Sequence, residues 1–466
     1  MVCSLLLKST RRVSSLRYTL SARFLSDETL SVTPQFLLTA AEVDQVLRKN
    51  ERSKSLHTFV QSYHCNCLPA NRPCEDQHAE GYCRLDNSYF FGVFDGHGGP
   101  ECAKAVASRL YDYLALSILP EHVLKEIVCL GTDFSLVDRL ETESSSLVPD
   151  KLKSQHINNI RSFASNSIQK NAGSINVRDA FKRAFLALDE DLIKEALPDR
   201  SGHIDADSLR TVMSGSCACV AYVKGRDLYI AQLGDSAAIL GVNDDSNGVV
   251  WTARKLTHEH TVDDDNEVKR IRAEHPFSEE YTVFRRGRLL GELVPLRAFG
   301  DVRYKWTAQQ QNAIISTLLG ARPTPANYFT PPYLTSEPSV YYYRLTENDK
   351  FLVLASDGFW DMVFPEMAVR LVSNHMIGVE TLIPYEIPAF ATFRTVLEDL
   401  RVRKERAKKR PADANCATHL IRYALTSEFA EANPYTGLSY VLGIPTGLAR
   451  AYRDDMTVFV IYFPSV

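Results

Sequence analysis

The chain has 466 residues, 24% charged and 45% hydrophobic, with a net charge of −4, the composition of an ordinary globular protein long enough to bury a large core. No run of 18 apolar residues exists, which argues against a transmembrane helix. Residues 1–26 hold Lys8, Arg11, Arg12, Arg17 and Arg23 and no acid. Removing those five leaves 48 basic side chains against 57 acidic ones, so nucleic acid is a poor candidate partner. The Ser-, Leu- and Arg-rich start has the character of a mitochondrial transit peptide, and Ala22–Ser26 offers a processing site.

Taken in chain order, the apolar run 89–94 predicts a buried strand. Residues 101–117 predict an amphipathic helix. Residues 131–175 are polar, rich in Ser and Asn, and read as an insertion. From 177 to 197, Val177, Phe181, Ala184, Phe185, Leu188 and Leu192 fall on one helical stripe. Strands follow at 217–223 and 228–233, joined by Lys224-Gly225-Arg226-Asp227 as a hairpin. A further strand is expected at 351–355, a helix at 415–426 and a last strand at 456–463. Between Arg401 and Arg410, in a second apparent insertion at 398–414, lie seven basic side chains, either a solvated face or a docking surface for an acidic partner. The ten cysteines include Cys65/Cys67 and Cys217/Cys219 but no Cys-x-x-Cys, which disfavours zinc and fits a reducing compartment. Hairpin-rich strands with helices between them predict an α+β fold: mainly antiparallel sheets covered by helices.

Chemistry concentrates where strands end. Phe91-Gly-Val-Phe-Asp-Gly-His-Gly-Gly99 presents a carboxylate (Asp95), a bare carbonyl (Gly96) and an imidazole (His97) at one strand tip. Alone, this could be a tight Asp-Gly turn. Glu75-Asp76, Gly234-Asp235-Ser236, Ser356-Asp357-Gly-Phe-Trp-Asp361 and Arg453-Asp454-Asp455 sit in the same kind of place. Carboxylates that converge unpaired repel one another, and a pair of Mg²⁺ or Mn²⁺ ions with hard oxygen ligands would reconcile them. Two such cations ~3.5–4 Å apart can share one carboxylate and activate a water. Attack on phosphorus in line with the leaving oxygen suits that arrangement, because the charge spread over the phosphoryl oxygens needs neutralising.

These motifs, together with Ser214-Gly-Ser216 and Arg297-Ala-Phe-Gly-Asp301, occur in an order that resembles the metal-dependent type 2C serine/threonine protein phosphatase family across residues ~70–466. Within it, Leu68–Asn71, Thr330–Thr335, Asn415–Arg422 and Ala451–Asp455 are similar to the pyruvate dehydrogenase phosphatases. The resemblance implies one phosphatase domain over 27–466, built as two packed antiparallel β-sheets flanked by helices. It implies that Asp95 bridges two metals, with the Gly96 carbonyl on one and Asp357 and Asp454 on the other. Asp76 would orient the nucleophilic water, Glu75 would act through bound water, and His97 would protonate the leaving serine oxygen. Asp235 and Asp361 would hold a third metal, while Asp455 and Asp301 would be structural.

The same resemblance implies phosphorylated pyruvate dehydrogenase as substrate in the mitochondrial matrix, and a Ca²⁺-assisted contact with the lipoyl domain of the acyltransferase core. A regulatory subunit is a further expected partner. Two departures stand out. The family's phosphate-clamping Arg is replaced by Asn71, with Arg72 one place away, and Ala237 follows Gly-Asp-Ser. The competing readings are a phosphatase of the same type on another phosphoprotein and a non-catalytic scaffold; the full set of acids disfavours the scaffold.

Overall fold

The computed structural model describes residues 37–464, apart from 57, 131–135, 141–149, 172, 245–249, 317–323 and 427–433. The basic segment 1–26 lies outside the described residues.

Two six-stranded sheets carry the fold. One runs, in spatial order, β1 (Arg52–Ser55), β2 (Ser62–Leu68), β17 (Met456–Tyr462), β16 (Asp349–Ala355), β10 (Ala237–Val242) and β11 (Thr252–Lys255). The other runs β15 (Ser339–Arg344), β9 (Asp227–Leu233), β8 (Ala218–Lys224), β4 (Ser88–Phe94), β3 (Gln77–Cys83) and β6 (Val137–Arg139). Every pairing within them is antiparallel. The β8–β9 hairpin closes at Lys224 and Asp227, with Gly225 at φ +55, a backbone setting that glycine enters without a Cβ penalty. The remaining short strands are β5 (Gly96–His97), β7 (Gly215–Ser216) and β14 (Phe299–Gly300), which form a three-stranded ribbon, and the hairpin of β12 (Phe284–Arg285) and β13 (Arg288–Leu289).

The two sheets stack face to face. Phe91, Val93, Cys219, Ala221, Leu352, Leu354, Phe459 and Ile461 point into the layer between them. Their neighbours in the chain point the other way, since side chains alternate along a strand. Phe90, Phe94, Val220 and Tyr222 meet helices α2 (Glu101–Ile118) and α4 (Val177–Glu195). Phe351, Val353, Val458 and Val460 meet α6 (Pro365–Gly378) and α8 (Cys416–Thr426), with α1 (Ala40–Arg48) alongside. Burial on both faces explains why these strands read as continuous apolar runs. The stripe foreseen on α4 is buried at Phe181, Ala184, Phe185, Leu188 and Leu192, and Asn176 caps the helix through Arg178 N.

The two presumed insertions take definite form where they are described. Val137–Arg139 adds an edge strand beside β3, and Asp150–Lys170 is helix α3, packed against α2. Phe393–Arg406 is helix α7, capped by Thr392 and burying none of its residues. Among the described residues no helix is long and apolar enough to cross a membrane.

Candidate active site

The acids gather at one end of the sandwich, because the strands that carry them are neighbours. Asp95 follows β4, Asp235 joins β9 to β10, Asp357 opens the single helical turn Asp357–Trp360 after β16, and Asp454 lies just before β17. Asp95, Asp235 and Asp357 each offer a carboxylate oxygen within 4.8 Å of the others. Gly358 admits this convergence, since a Cβ there would collide with the Asp455 carbonyl and the Asp454 side chain. Burial and then the Asp357, Asp76, Asp235 and Asp454 charges push the Asp95 carboxyl well above the usual carboxylate range. Asp357 is raised in the same sense by burial, then by Asp235, Asp454 and Asp361. Asp95 Oδ2 is buried without a hydrogen-bond partner. Closely set carboxylates, one with an unused buried oxygen, fit hard divalent cations. Asp361, one helical turn past Asp357, lies on the same side of the site.

Asp76 and Glu75 stand behind this group. Asp76 is buried, and its Oδ2 accepts from Ser356 Oγ at 2.8 Å and Thr457 Oγ1 at 2.7 Å. Burial raises its pKa despite those donors. Glu75 Oε1 accepts from Gly99 N at 2.6 Å, and burial raises it as well. Asp235 Oδ1 accepts from Cys217 Sγ at 3.1 Å. Asp455 does different work. It accepts from the backbone of Ala70, Asn71, Glu75 and Asp76 and from Asn71 Nδ2, so it staples the segment that carries Glu75 and Asp76. The Asn71 amide is thereby committed to Asp455, while Arg72 is exposed.

The β5–β7–β14 ribbon delivers the imidazole. Pairing of Gly96–His97 with Gly215–Ser216, and of the latter with Phe299–Gly300, sets His97 Nε2 2.6 Å from Asp301 Oδ2. Gly215 makes room, for a Cβ there would strike both groups. Burial opposes protonation of His97, but the Asp301 carboxylate outweighs it and the pKa is raised above the ordinary value. This pairing was not foreseen: Asp301 lay inside a recognised motif, but 204 positions away nothing signalled its partner. Arg450 was missed too. It follows helix α9 (Thr446–Ala449), forms an ion pair with Asp454, and also feels the charges of Asp357 and Glu75.

Comparison with known proteins assigns the sequence to a family. Residues 134–382 match the family model for protein phosphatase 2C. The chain is 37% identical over 473 residues to pyruvate dehydrogenase (acetyl-transferring) phosphatase 1, mitochondrial, of Bos taurus, covering 96% of this chain and 86% of that one. It is 35% identical to phosphatase 2 of the same designation from Homo sapiens, covering 92% and 84%. A yeast relative, phosphatase 1 of Saccharomyces cerevisiae, is 29% identical over 92% of this chain and 73% of its own. The chain belongs to the protein phosphatase 2C family and is a protein serine/threonine phosphatase.

Proposed function

We propose that this phosphatase removes phosphate from serine of phosphorylated pyruvate dehydrogenase in the mitochondrial matrix, and so activates that complex. The observation that carries the chemistry is the cluster of Asp95, Asp235 and Asp357 with its buried, unpartnered Asp95 oxygen. The substrate reading is supported by likeness to relatives named for pyruvate dehydrogenase over nearly the whole chain, and the compartment by the word mitochondrial in those names.

Asp95, the Gly96 carbonyl, Asp357 and Asp454 would hold two Mg²⁺ or Mn²⁺ ions, with Asp235 and Asp361 serving a third. Bound there, divalent cations neutralise phosphoryl charge and make water acidic enough to attack at neutral pH. The protein's own groups do the rest. Asp76, fixed by Ser356 and Thr457, orients the attacking water, and Glu75 acts through bound water. His97 holds Asp301 through Nε2, so Nδ1–H is the proton left for the departing serine oxygen. With the Asn71 amide held by Asp455, exposed Arg72 is the candidate phosphate contact of that pair, and Arg450 adds a cation beside Asp454.

Docking to the lipoyl domain of the acyltransferase core, with Ca²⁺ assisting, would fall on α7. There Phe393, Leu397 and Leu400 are exposed beside Arg394, Arg401 and Lys404, a face suited to an acidic partner with an apolar feature. Arg403 and Arg406 instead tie the helix to Ile383 and Glu380. Replacing Arg394, Arg401 and Lys404 with Ser therefore tests docking cleanly: lipoyl-domain binding weakens while turnover of a small phosphopeptide holds, and unchanged binding at low salt overturns it.

The main experiment measures phosphate release from phosphorylated pyruvate dehydrogenase and from an unrelated phosphoserine protein, each with Mg²⁺ or Mn²⁺. The proposal expects a higher kcat/KM on the former. Equal rates on both leave a phosphatase of another phosphoprotein, and no release from either leaves a scaffold. Microscopy of the tagged chain with and without residues 1–26 decides the compartment.

A further inference from the structure

Cys67 lies near the end of β2, and Cys74 lies in the following loop, immediately before Glu75 and Asp76. Their Sγ atoms are 3.7 Å apart. Cys67 is locked in the sheet and buried, whereas Cys74 is half-buried and reachable. Cys74 Sγ also reaches the Asp76 carbonyl at 3.5 Å. A disulfide brings its sulfurs to about 2.05 Å, so they would have to close by about 1.7 Å. Because β2 is paired with β17 along its whole length, that movement falls on the loop. The loop is the segment stapled by Asp455, and it positions Glu75 against Gly99 and Asp76 against Ser356 and Thr457.

We propose that Cys67 and Cys74 form a peroxide-sensitive dithiol whose oxidation to a disulfide displaces Glu75 and Asp76 and shuts off the phosphatase. The chemistry balances with hydrogen peroxide as oxidant. The Cys74 sulfur attacks one peroxide oxygen, the O–O bond breaks, and a sulfenic acid and one water result. The Cys67 sulfur then attacks the Cys74 sulfur, the S–O bond breaks, and the hydroxyl leaves as a second water with the thiol proton. Two thiols lose two electrons, and the peroxide takes them. A thiol reductant reverses the bond by exchange. Misplacing a catalytic group by about 1 Å can cost ~10²-fold in rate.

The inhibition rests on the proposed roles of Glu75 and Asp76; formation of the disulfide does not. The test treats the full chain, in a Cys129→Ser background that removes an exposed thiol, with graded hydrogen peroxide and then catalase. Peptide mapping follows the Cys67–Cys74 link, and turnover of a phosphoserine peptide is measured before and after dithiothreitol. The expected result is a linked peptide that rises in step with a fall in kcat of at least about tenfold, both reversed by the reductant. Cys74→Ser and Cys74→Ala should each keep their activity under the same peroxide. Loss of activity without the link, or equal sensitivity of both Cys74 variants, overturns the proposal. A link that forms with kcat unchanged overturns the switch. If the untreated chain proves inactive, the functional reading fails while peptide mapping still decides the dithiol.

Discussion

Two groups of acids in this molecule face opposite electrostatic situations. Asp413 has a fully buried side chain, yet Arg422 grips it through Nε and Nη2 at 2.6 and 2.7 Å, and Arg48 adds two more contacts at 3.1 Å. Burial works against its ionisation, but Arg422 and Arg48 outweigh it and the pKa is lowered. Glu267, between Arg297 and Arg270, is held down in the same way to about 2. At Asp95 and Asp357 burial acts in the same direction, but the neighbours are other acids, and the pKa rises. Where acids outnumber the protein's cations, as here with Arg450 paired to Asp454 alone, repulsion remains that an external cation can relieve. An acid with its own arginines has no such vacancy and serves the fold.

The comparison breaks most visibly on turnover. Asp95→Asn or Asp357→Asn should nearly abolish phosphate release at saturating Mg²⁺, by more than the ~10–100-fold that changes behind a metal ligand cost. The metal-free melting temperature should hold or rise, because repulsion is removed. A variant that loses activity by unfolding would erase the contrast. His97→Gln comes next, lowering kcat on phosphoserine by about 10²–10⁴. The loss should shrink on an aryl phosphate, whose leaving group needs little protonation, and equal losses would remove His97 from the acid role.

Asp413→Asn should do the reverse. It leaves the buried Arg422 without its main partner and should cost about 3 kcal/mol in a denaturant titration, with kcat per folded molecule unchanged. Adding Mg²⁺ or Mn²⁺ at 100 times its dissociation constant should stabilise the wild-type fold by about 2.7 kcal/mol. The same addition should do much less for Asp95→Asn, as differential scanning will show. The smallest effect concerns acid stability. The Glu267 pKa is depressed from 4.5 to about 2, so its contribution is complete above pH 4.5 and is lost as the pH falls through about 2. Glu267→Gln should flatten that part of the stability curve, and an unchanged acid limb would show that its ion pairs contribute nothing.

Much of this was legible in the residues themselves. The runs at 89–94, 217–223, 228–233 and 351–355 read as strands because they are short and almost wholly apolar, and the structure places a strand at each. The α4 stripe followed from the helical repeat. Asp95, Asp235, Asp357 and Asp454 stood out because carboxylates at strand ends are costly unless they share a purpose. The neighbours Asp454 and Asp455 were harder, being the same residue twice. Only the packing sends Asp454 towards Asp95 and Asp357 while Asp455 faces the donors of the 70–76 loop. The tertiary structure alone decided that Asp301 meets His97, that Ser356 and Thr457 hold Asp76, and that α7 stands in solvent with its apolar residues exposed. Periodicity reports which way a side chain faces relative to its own strand or helix. Which distant side chain it meets depends on strand order and register, and those are set by the summed packing of the whole core.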